Sequence, residues 1–271
     1  MFIFSDLLAT ICALGVMLFL LGTSRAEQAY ECLIEPKMVT KVGSQAFGVL
    51  QRVAVDRGDF VKAGDTIAEL ESAIEMHNLA IARLRAENDS EVRLAEEAAT
   101  LYGSQFSRRN ELWKGKHVSD EVFEKAKSDA SMRKFELERA KYALEQAGLE
   151  AKRAQSFLNQ RTIKSPIDGV ITSRKMAPGE YVRDDSQIVE IAEINPLYVH
   201  TFLPVKMFSQ IWSGTPATIV PEEAVGGQYK SVVTMKDPVI DAASSTFLVR
   251  IELANPSAMI PSGIRCQVTF Y

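Results

Sequence analysis

The sequence predicts an elongated, multidomain chain of mixed α and β structure. A small β-sandwich is split into two halves, an antiparallel α-helical coiled-coil hairpin is inserted between them, and a β-barrel follows. Three observations predict this. One segment occurs twice, 121 residues apart. A long proline-free stretch between the copies carries a helical seam. Beyond it, the chain becomes short apolar runs punctuated by Gly, Pro, Asn and Asp.

The first copy runs from Gly48 to Leu70 and the second from Gly169 to Ile191. Aligned without a gap, they share Gly48/Gly169, Val49/Val170, Gly58/Gly179, Val61/Val182, Ile67/Ile188 and Glu69/Glu190. Leu50/Ile171, Asp59/Glu180, Phe60/Tyr181, Lys62/Arg183 and Leu70/Ile191 are conservative pairs. A repeat this short cannot bury a core alone, so the copies are expected to pack as one domain. The intervening segment must then leave that domain and return. Within each copy, turns are expected at Gly58-Asp59, Gly64-Asp65 and Pro178-Gly179. Val53, Val55, Val61 and Ile67 are the apolar positions of the buried face.

Nine of the ten prolines lie after residue 165, and none falls between Pro36 and Pro166. From Ser72 to about Asn159 the pattern is helical. Positions 123, 126, 130, 133, 137, 140, 144, 147, 151, 154 and 158 keep an unbroken 3-4 spacing, and only Arg133 among them is not apolar. In the first limb, Ile74, Ile81, Leu84, Ala95, Ala98 and Tyr102 are expected in the seam, while Asn88 and Glu91 break it. Gly115 and Ser119-Asp120-Glu121 mark a helix stop and a new helix start. Two helices of about 40 residues, at about 1.5 Å per residue, give a hairpin about 60 Å long.

After Asn195-Pro196, the runs LYVHTFLP, PATIVP, YKSVVTMKD, TFLVRIELANP and IRCQVTFY read as strands of a compact barrel. A single helical turn is expected from Lys206 to Trp212, and residues 30–42 read as a strand leading into the first repeat. Residues 7–22 form an apolar run followed by Ser24 and Ala26, which suits a cleaved signal peptide over 1–26. Asp6 and an n-region without Lys or Arg leave an uncleaved anchor as the competing reading. Either places the rest of the chain outside the cytoplasm. Cys32 and Cys266, at the two ends of the mature chain, then read either as a disulfide or as two buried free thiols, the latter preferred.

Composition excludes several roles. A net charge of −4 and pI near 5.6 oppose general nucleic-acid binding. His77, His117 and His200 fall on separate predicted elements, so no shared metal is expected. The nine methionines follow no motif, and no nucleophile–base pair or phosphate loop appears, so neither cofactor nor enzymatic activity is expected.

The repeated segment resembles the two halves of a lipoyl/biotinyl-carrier domain, carried by Gly58-Asp59-x-Val61-Lys62-x-Gly64-Asp65-x-Ile67 and Ser165-Pro166-Ile167-Asp168-Gly169-Val170-Ile171. A true carrier has its modified lysine at the joining turn, where this chain has Ser72, Ala73 and Ile74. Swinging-arm chemistry is therefore not expected. A split lipoyl-like domain with an inserted coiled coil and a following barrel resembles the periplasmic adaptor (membrane fusion, HlyD/AcrA-like) family of tripartite efflux pumps. Asp241-x4-Thr246-Phe247-x-Val249-Arg250, Asn255-Pro256 and Ile260-Pro261-Ser262-Gly263 resemble that family's barrel closure.

The resemblance implies a strand at 27–43 joining the barrel, lipoyl-like halves at 44–71 and 161–194, a hairpin at 72–160 with its tip about 113–119, and a barrel at 195–271. It implies a homo-oligomer, typically a hexamer with hairpins side by side and lipoyl domains in a ring. The oligomer would link an inner-membrane transporter to a TolC-type outer-membrane channel. Arg108, Leu112 and Ser119 fit the Arg-x3-Leu-x6-Ser pattern by which such adaptors meet the channel. From the residues alone, they also read as a solvated charge, a last seam contact and an N-cap. The barrel should close at Tyr271, so a membrane-proximal domain is expected to be absent. That leaves the transporter class open, with a resistance-nodulation-division pump first and an ABC or other transporter behind it. An envelope coiled-coil scaffold without transport is the alternative function.

Overall fold

The computed structural model describes residues 28–222 and 225–271. The expected signal peptide or anchor at 1–26, and Cys12 within it, lie outside the described residues. The described residues divide into two units, one of residues 39–192 and one of residues 28–38 with 193–222 and 225–271.

In the first unit the two repeats exchange strands. β2 (Gly48–Val53) pairs with β7 (Tyr181–Val182), and β6 (Gly169–Arg174) pairs with β3 (Phe60–Val61). The pairings are equivalent: Gly48 faces Val182 as Gly169 faces Val61, and Val49 faces Tyr181 as Val170 faces Phe60. The connecting hydrogen bonds come in matched sets. Leu50 N donates to Glu180 O at 2.8 Å and Ile171 N to Asp59 O at 2.9 Å. Gly179 N donates to Leu50 O at 2.8 Å and Gly58 N to Ile171 O at 2.9 Å.

Each repeat thus supplies backbone partners that the other lacks. Leu50, Val61, Ile67, Leu70, Ile171, Val182, Ile188 and Ile191 form the shared core, all buried. Burying each such side chain is worth about 1.5–3 kcal/mol. Val53 and Val55 pack against this core half-buried. β4 (Thr66–Leu70) pairs with β2 and with β5 (Thr162–Lys164). A Cβ at Gly169 would run into the carbonyl of Ala192, so this shared glycine permits close strand approach.

The helical segment leaves after β4 and returns into β5. It comprises α1 (Ala73–Glu87), α2 (Ser90–Lys114) and α3 (Asp120–Asn159). With 40 residues, α3 is about 60 Å long. All eleven expected seam positions of α3 are buried or half-buried. Arg133, the one charge among them, lies 4.9 Å from the centre of the Tyr102 ring and donates to Glu136 at 2.7 Å.

The outgoing limb departs from expectation twice. It is two helices, because Asn88 takes an extended ψ of 94° and Asn88-Asp89-Ser90 are weak helix formers. Ile74, Ile81 and Leu84 face outward, at 71%, 50% and 70% exposure, while Ala95, Ala98 and Tyr102 face the seam. Arg161, just past α3, sets the phase of α1. Its guanidinium donates to Glu75 Oε1 at 2.6 Å and to the Phe47 carbonyl at 2.5 Å. With Glu75 held inward, Leu79 one turn on is buried, and the apolar residues flanking that stripe turn out.

The second unit is built from strands. β1 (Tyr30–Val42) pairs with β12 (Ile264–Phe270), and β12 with β9 (Pro216–Pro221). β9 pairs with β10 (Tyr229–Asp241), β10 with β11 (Thr246–Leu253), and β11 with β8 (Val189–Pro204). β8 also pairs with β1. Along β11, Phe247, Val249, Ile251 and Leu253 are buried with the period of two that a half-buried strand requires. The helical turn is shorter than expected, a 3₁₀ segment over Val205–Met207. Asn255 is buried, and its amide bonds the backbone of Ile194 and Ile260, which ties down the loop before β12.

The preferred reading of Cys32 and Cys266 as separate thiols is corrected. They face each other in the β1–β12 register, their Cα atoms are 4.8 Å apart, and the two sulfurs are bonded. The bond closes a loop with a sequence separation of 234. A chain cross-linked over so long a loop loses much unfolded-state entropy. Replacing both cysteines with serine should therefore cost about 2–5 kcal/mol. Calorimetric melts of the double variant, and of wild type with reductant, should both show a lower midpoint. Midpoints equal to the oxidised wild type would contradict the bond.

Candidate functional site

The hairpin turns between Lys114 and Asp120. At the end of α2, Gly115 N donates to Glu111 O at 3.1 Å, Lys116 N to Trp113 O at 2.9 Å, and His117 N to Leu112 O at 2.8 Å. Gly115 keeps an ordinary φ of −79°, and Lys116 takes the left-handed conformation at φ 60°. The glycine stop expected at Gly115 is thus displaced by one residue, onto a side chain that pays a conformational penalty of about 1 kcal/mol there. Gly115 has a packing role, since a Cβ there would meet the His117 ring at 2.8 Å.

The three motif residues occupy different settings. Arg108 and Leu112 are four apart on α2 and so share one helix face. Arg108 is exposed and forms no ion pair among the described residues. Leu112 is 46% exposed, with its carbonyl used by the turn. Ser119 lies across the turn, as the N-cap of α3, where its Oγ accepts from Val122 N at 3.4 Å. Its hydroxyl proton remains available to donate. The backbone turn carries Arg108 and Leu112 on one limb and Ser119 at the start of the other.

An aromatic clamp, which the motif did not reveal, holds this turn. Trp113 stacks on Phe123 with ring centres 4.5 Å apart and planes at 16°, and Phe106 approaches Phe123 at 5.8 Å. Trp113 Nε1 donates to Asp120 Oδ1 at 2.6 Å, which ties the last turn of α2 to the first turn of α3. A signal was present in the sequence. Phe106 and Trp113 are seven apart, two helical turns, and Phe123 begins the α3 seam. The clamp makes the tip a rigid platform with Leu112 beside it.

Replacing Trp113 by Ala removes the stack and the hydrogen bond and should cost about 1–3 kcal/mol locally. Amide exchange over 110–122 should then quicken at least tenfold, with mid-hairpin amides unchanged. Trp113→Phe, which keeps a ring, should fall between the two. Unchanged tip exchange in Trp113→Ala would refute the clamp.

Comparison with known proteins agrees with this architecture. The CzcB-like, barrel-sandwich hybrid domain family matches residues 38–193, more than half of the chain. The multidrug resistance protein MdtE of Escherichia coli K12 is 24% identical over 248 residues, covering 84% of this chain and 60% of MdtE. This chain spans about half the length of the curated relatives it matches. Among solved structures, MacA from Actinobacillus actinomycetemcomitans superposes with a TM-score of 0.75 at 21% identity, covering 90% of this chain and 77% of MacA. The membrane fusion protein Spr0693 from Streptococcus pneumoniae R6 does so with 0.61 at 15% identity, covering 90% and 98%. These likenesses share the fold, and the family match spans the exchanged repeats together with the hairpin between them. The chain belongs to the CzcB-like barrel-sandwich hybrid domain family.

Proposed function

We propose that this chain is the periplasmic adaptor of a tripartite export system, joining an inner-membrane transporter to a TolC-type outer-membrane channel. The observation that carries the reading is the inserted hairpin. It is anchored at its base by Arg161 and Glu75, extends about 60 Å along α3, and ends in a clamped turn beside an exposed leucine. A rod of that form suits reaching and docking.

At the tip, Leu112 is the anchor that enters a groove between partner helices, and Arg108 and Ser119 bond groups on the groove's rim. Copies assemble around a conduit, in a hexamer as the resemblance implies. The strand circuit of β1, β12, β9, β10, β11 and β8 is the adaptor's β-barrel. The Cys32–Cys266 bond fits an oxidising compartment, which supports the periplasmic reading. The transporter is most simply of the resistance-nodulation-division class. The cargo is not set by this chain: one relative is named for multidrug resistance and another, CzcB of Cupriavidus metallidurans, for cobalt, zinc and cadmium. In such a system energy coupling belongs to the transporter.

Leu112→Asp places a charge on the half-exposed docking anchor and keeps the clamp residues Phe106, Trp113, Asp120 and Phe123. The variant should keep the wild-type melting temperature and lose cross-linking to the channel and export by at least tenfold, measured in the native host. If cross-linking and export both persist, the tip is not the contact.

A further inference from the structure

The foot of the hairpin holds a cavity of about 400 Å³, lined by residues of the first unit alone. It lies where the first turns of α1, the end of α3 and the segment before β2 come together. Small-molecule sites run from about 300 to 1,000 Å³, and this volume falls among them. Ala46 and Ala154 bring only a methyl group each to its wall. The Arg161 guanidinium is fixed in that wall by Glu75 and the Phe47 carbonyl.

The lining combines rings with hydrogen-bonding groups. Phe47 is 49% exposed and Phe157 is 48% exposed, and both border this one cavity. Arg153 lies 5.5 Å from the centre of the Phe157 ring and steadies it. A single exposed aromatic needs no explanation. Two that border one cavity, beside a fixed guanidinium, do. Arg161 spends one N–H on Glu75 and one on the Phe47 carbonyl, and an arginine has about five, so donors remain for a ligand. The exposed carboxamides of Asn78 and Gln160 also border the cavity, and neither is hydrogen-bonded to another described residue.

Charge then selects the kind of ligand. Glu75 and Arg161 are the charged residues of the lining, and they bond each other at 2.6 Å, so together they bring no net charge. An anion would approach Arg161 against Glu75, and a cation would approach Glu75 against Arg161. A neutral molecule meets neither opposition.

We infer that this cavity is a binding site for an uncharged, flat aromatic molecule with a carbonyl edge. The ring packs against Phe47 and Phe157, and the carbonyl accepts from Arg161 or from the Asn78 or Gln160 amide. Such a ligand touches α1, α3 and the segment before β2 at once. It therefore bears on the same joint, Arg161 with Glu75, that sets the phase of α1. The site goes beyond the adaptor reading and does not depend on it.

The test uses the full chain and a diethylaminocoumarin, a neutral fluorescent lactone. The same dye with a carboxylate beside the lactone carbonyl is its anionic counterpart. Fluorescence titration should show saturable binding of the neutral dye, one molecule per chain, and at least tenfold weaker binding of the acid. Phe157→Ala removes a ring, and Asn78→Trp fills the cavity while keeping both rings. Each should weaken the neutral dye at least tenfold. Both positions are exposed, so both variants should melt as wild type does. Phe202→Ala, at an exposed aromatic of the second unit, should bind as wild type. Amide exchange over residues 73–80 should slow when the neutral dye is bound.

No saturable binding to wild type, or binding that survives either cavity variant, would overturn the site. Loss of binding in Phe202→Ala would place the dye elsewhere and overturn it as well. Acid that binds as tightly as the neutral dye would overturn the ligand class. Binding that appears only once the protein is dissociated to monomers, by light scattering, would assign the cavity to a second copy of the chain instead. Dye binding in a chain whose tip meets no channel would uphold this site and defeat the adaptor reading, so the two can fail separately.

Discussion

The strand exchange between the repeats is the constraint on which the first unit depends. Neither β3 nor β7 has its partner within its own repeat, since each pairs with the leading strand of the other. The core is shared in the same way, with Leu50, Val61, Ile67 and Leu70 packed against Ile171, Val182, Ile188 and Ile191. Whatever lies between the repeats must therefore begin and end side by side on one small domain. A long insertion at such a point is tolerated because loop-closure entropy grows slowly with length. The insertion here is ordered from end to end, and its two feet are joined by Arg161 to Glu75 and to the Phe47 carbonyl. That joint fixes the rotation of α1, and with it which residues of the outgoing limb meet α3.

From that base, small seam residues let α2 and α3 run close together up to the tip. Alanine fills most of the α3 seam and leaves little apolar surface to hold the far end. Large aromatics take over where the helices end. Trp113, Phe123 and Phe106 supply area that the alanines do not, and the Trp113–Asp120 bond adds direction. The tip is thus held by a local device of its own, which allows Leu112 to remain exposed without loss of order.

Much of this was legible in the sequence, and the exceptions have physical causes. The repeat and the α3 seam were readable because both are periodic, and period determines which face is buried. The outgoing limb departs from expectation at Ile74, Ile81 and Leu84 because one register does not carry across Asn88, where the helix breaks. The phase of α1 is set instead by an ion pair with a residue far away in sequence. The cysteine pair was not decidable, since pairing depends on the β1–β12 register, which spacing does not encode. The clamp at Trp113 is readable from its spacing to Phe106, although Asp120 reads from the sequence only as part of a helix start. Ser119 fits both an N-cap and a contact from the sequence, and it does cap α3.

The central claim is that the hairpin tip meets an outer-membrane channel. Site-specific photo-cross-linking in the native envelope tests it most directly, with the reactive side chain placed at position 108 in one strain and at position 142, exposed at mid-hairpin, in another. The account predicts an adduct with a channel protein from position 108 and none from position 142. Adducts from position 108 that contain no channel protein, or the same products from both positions, would contradict it.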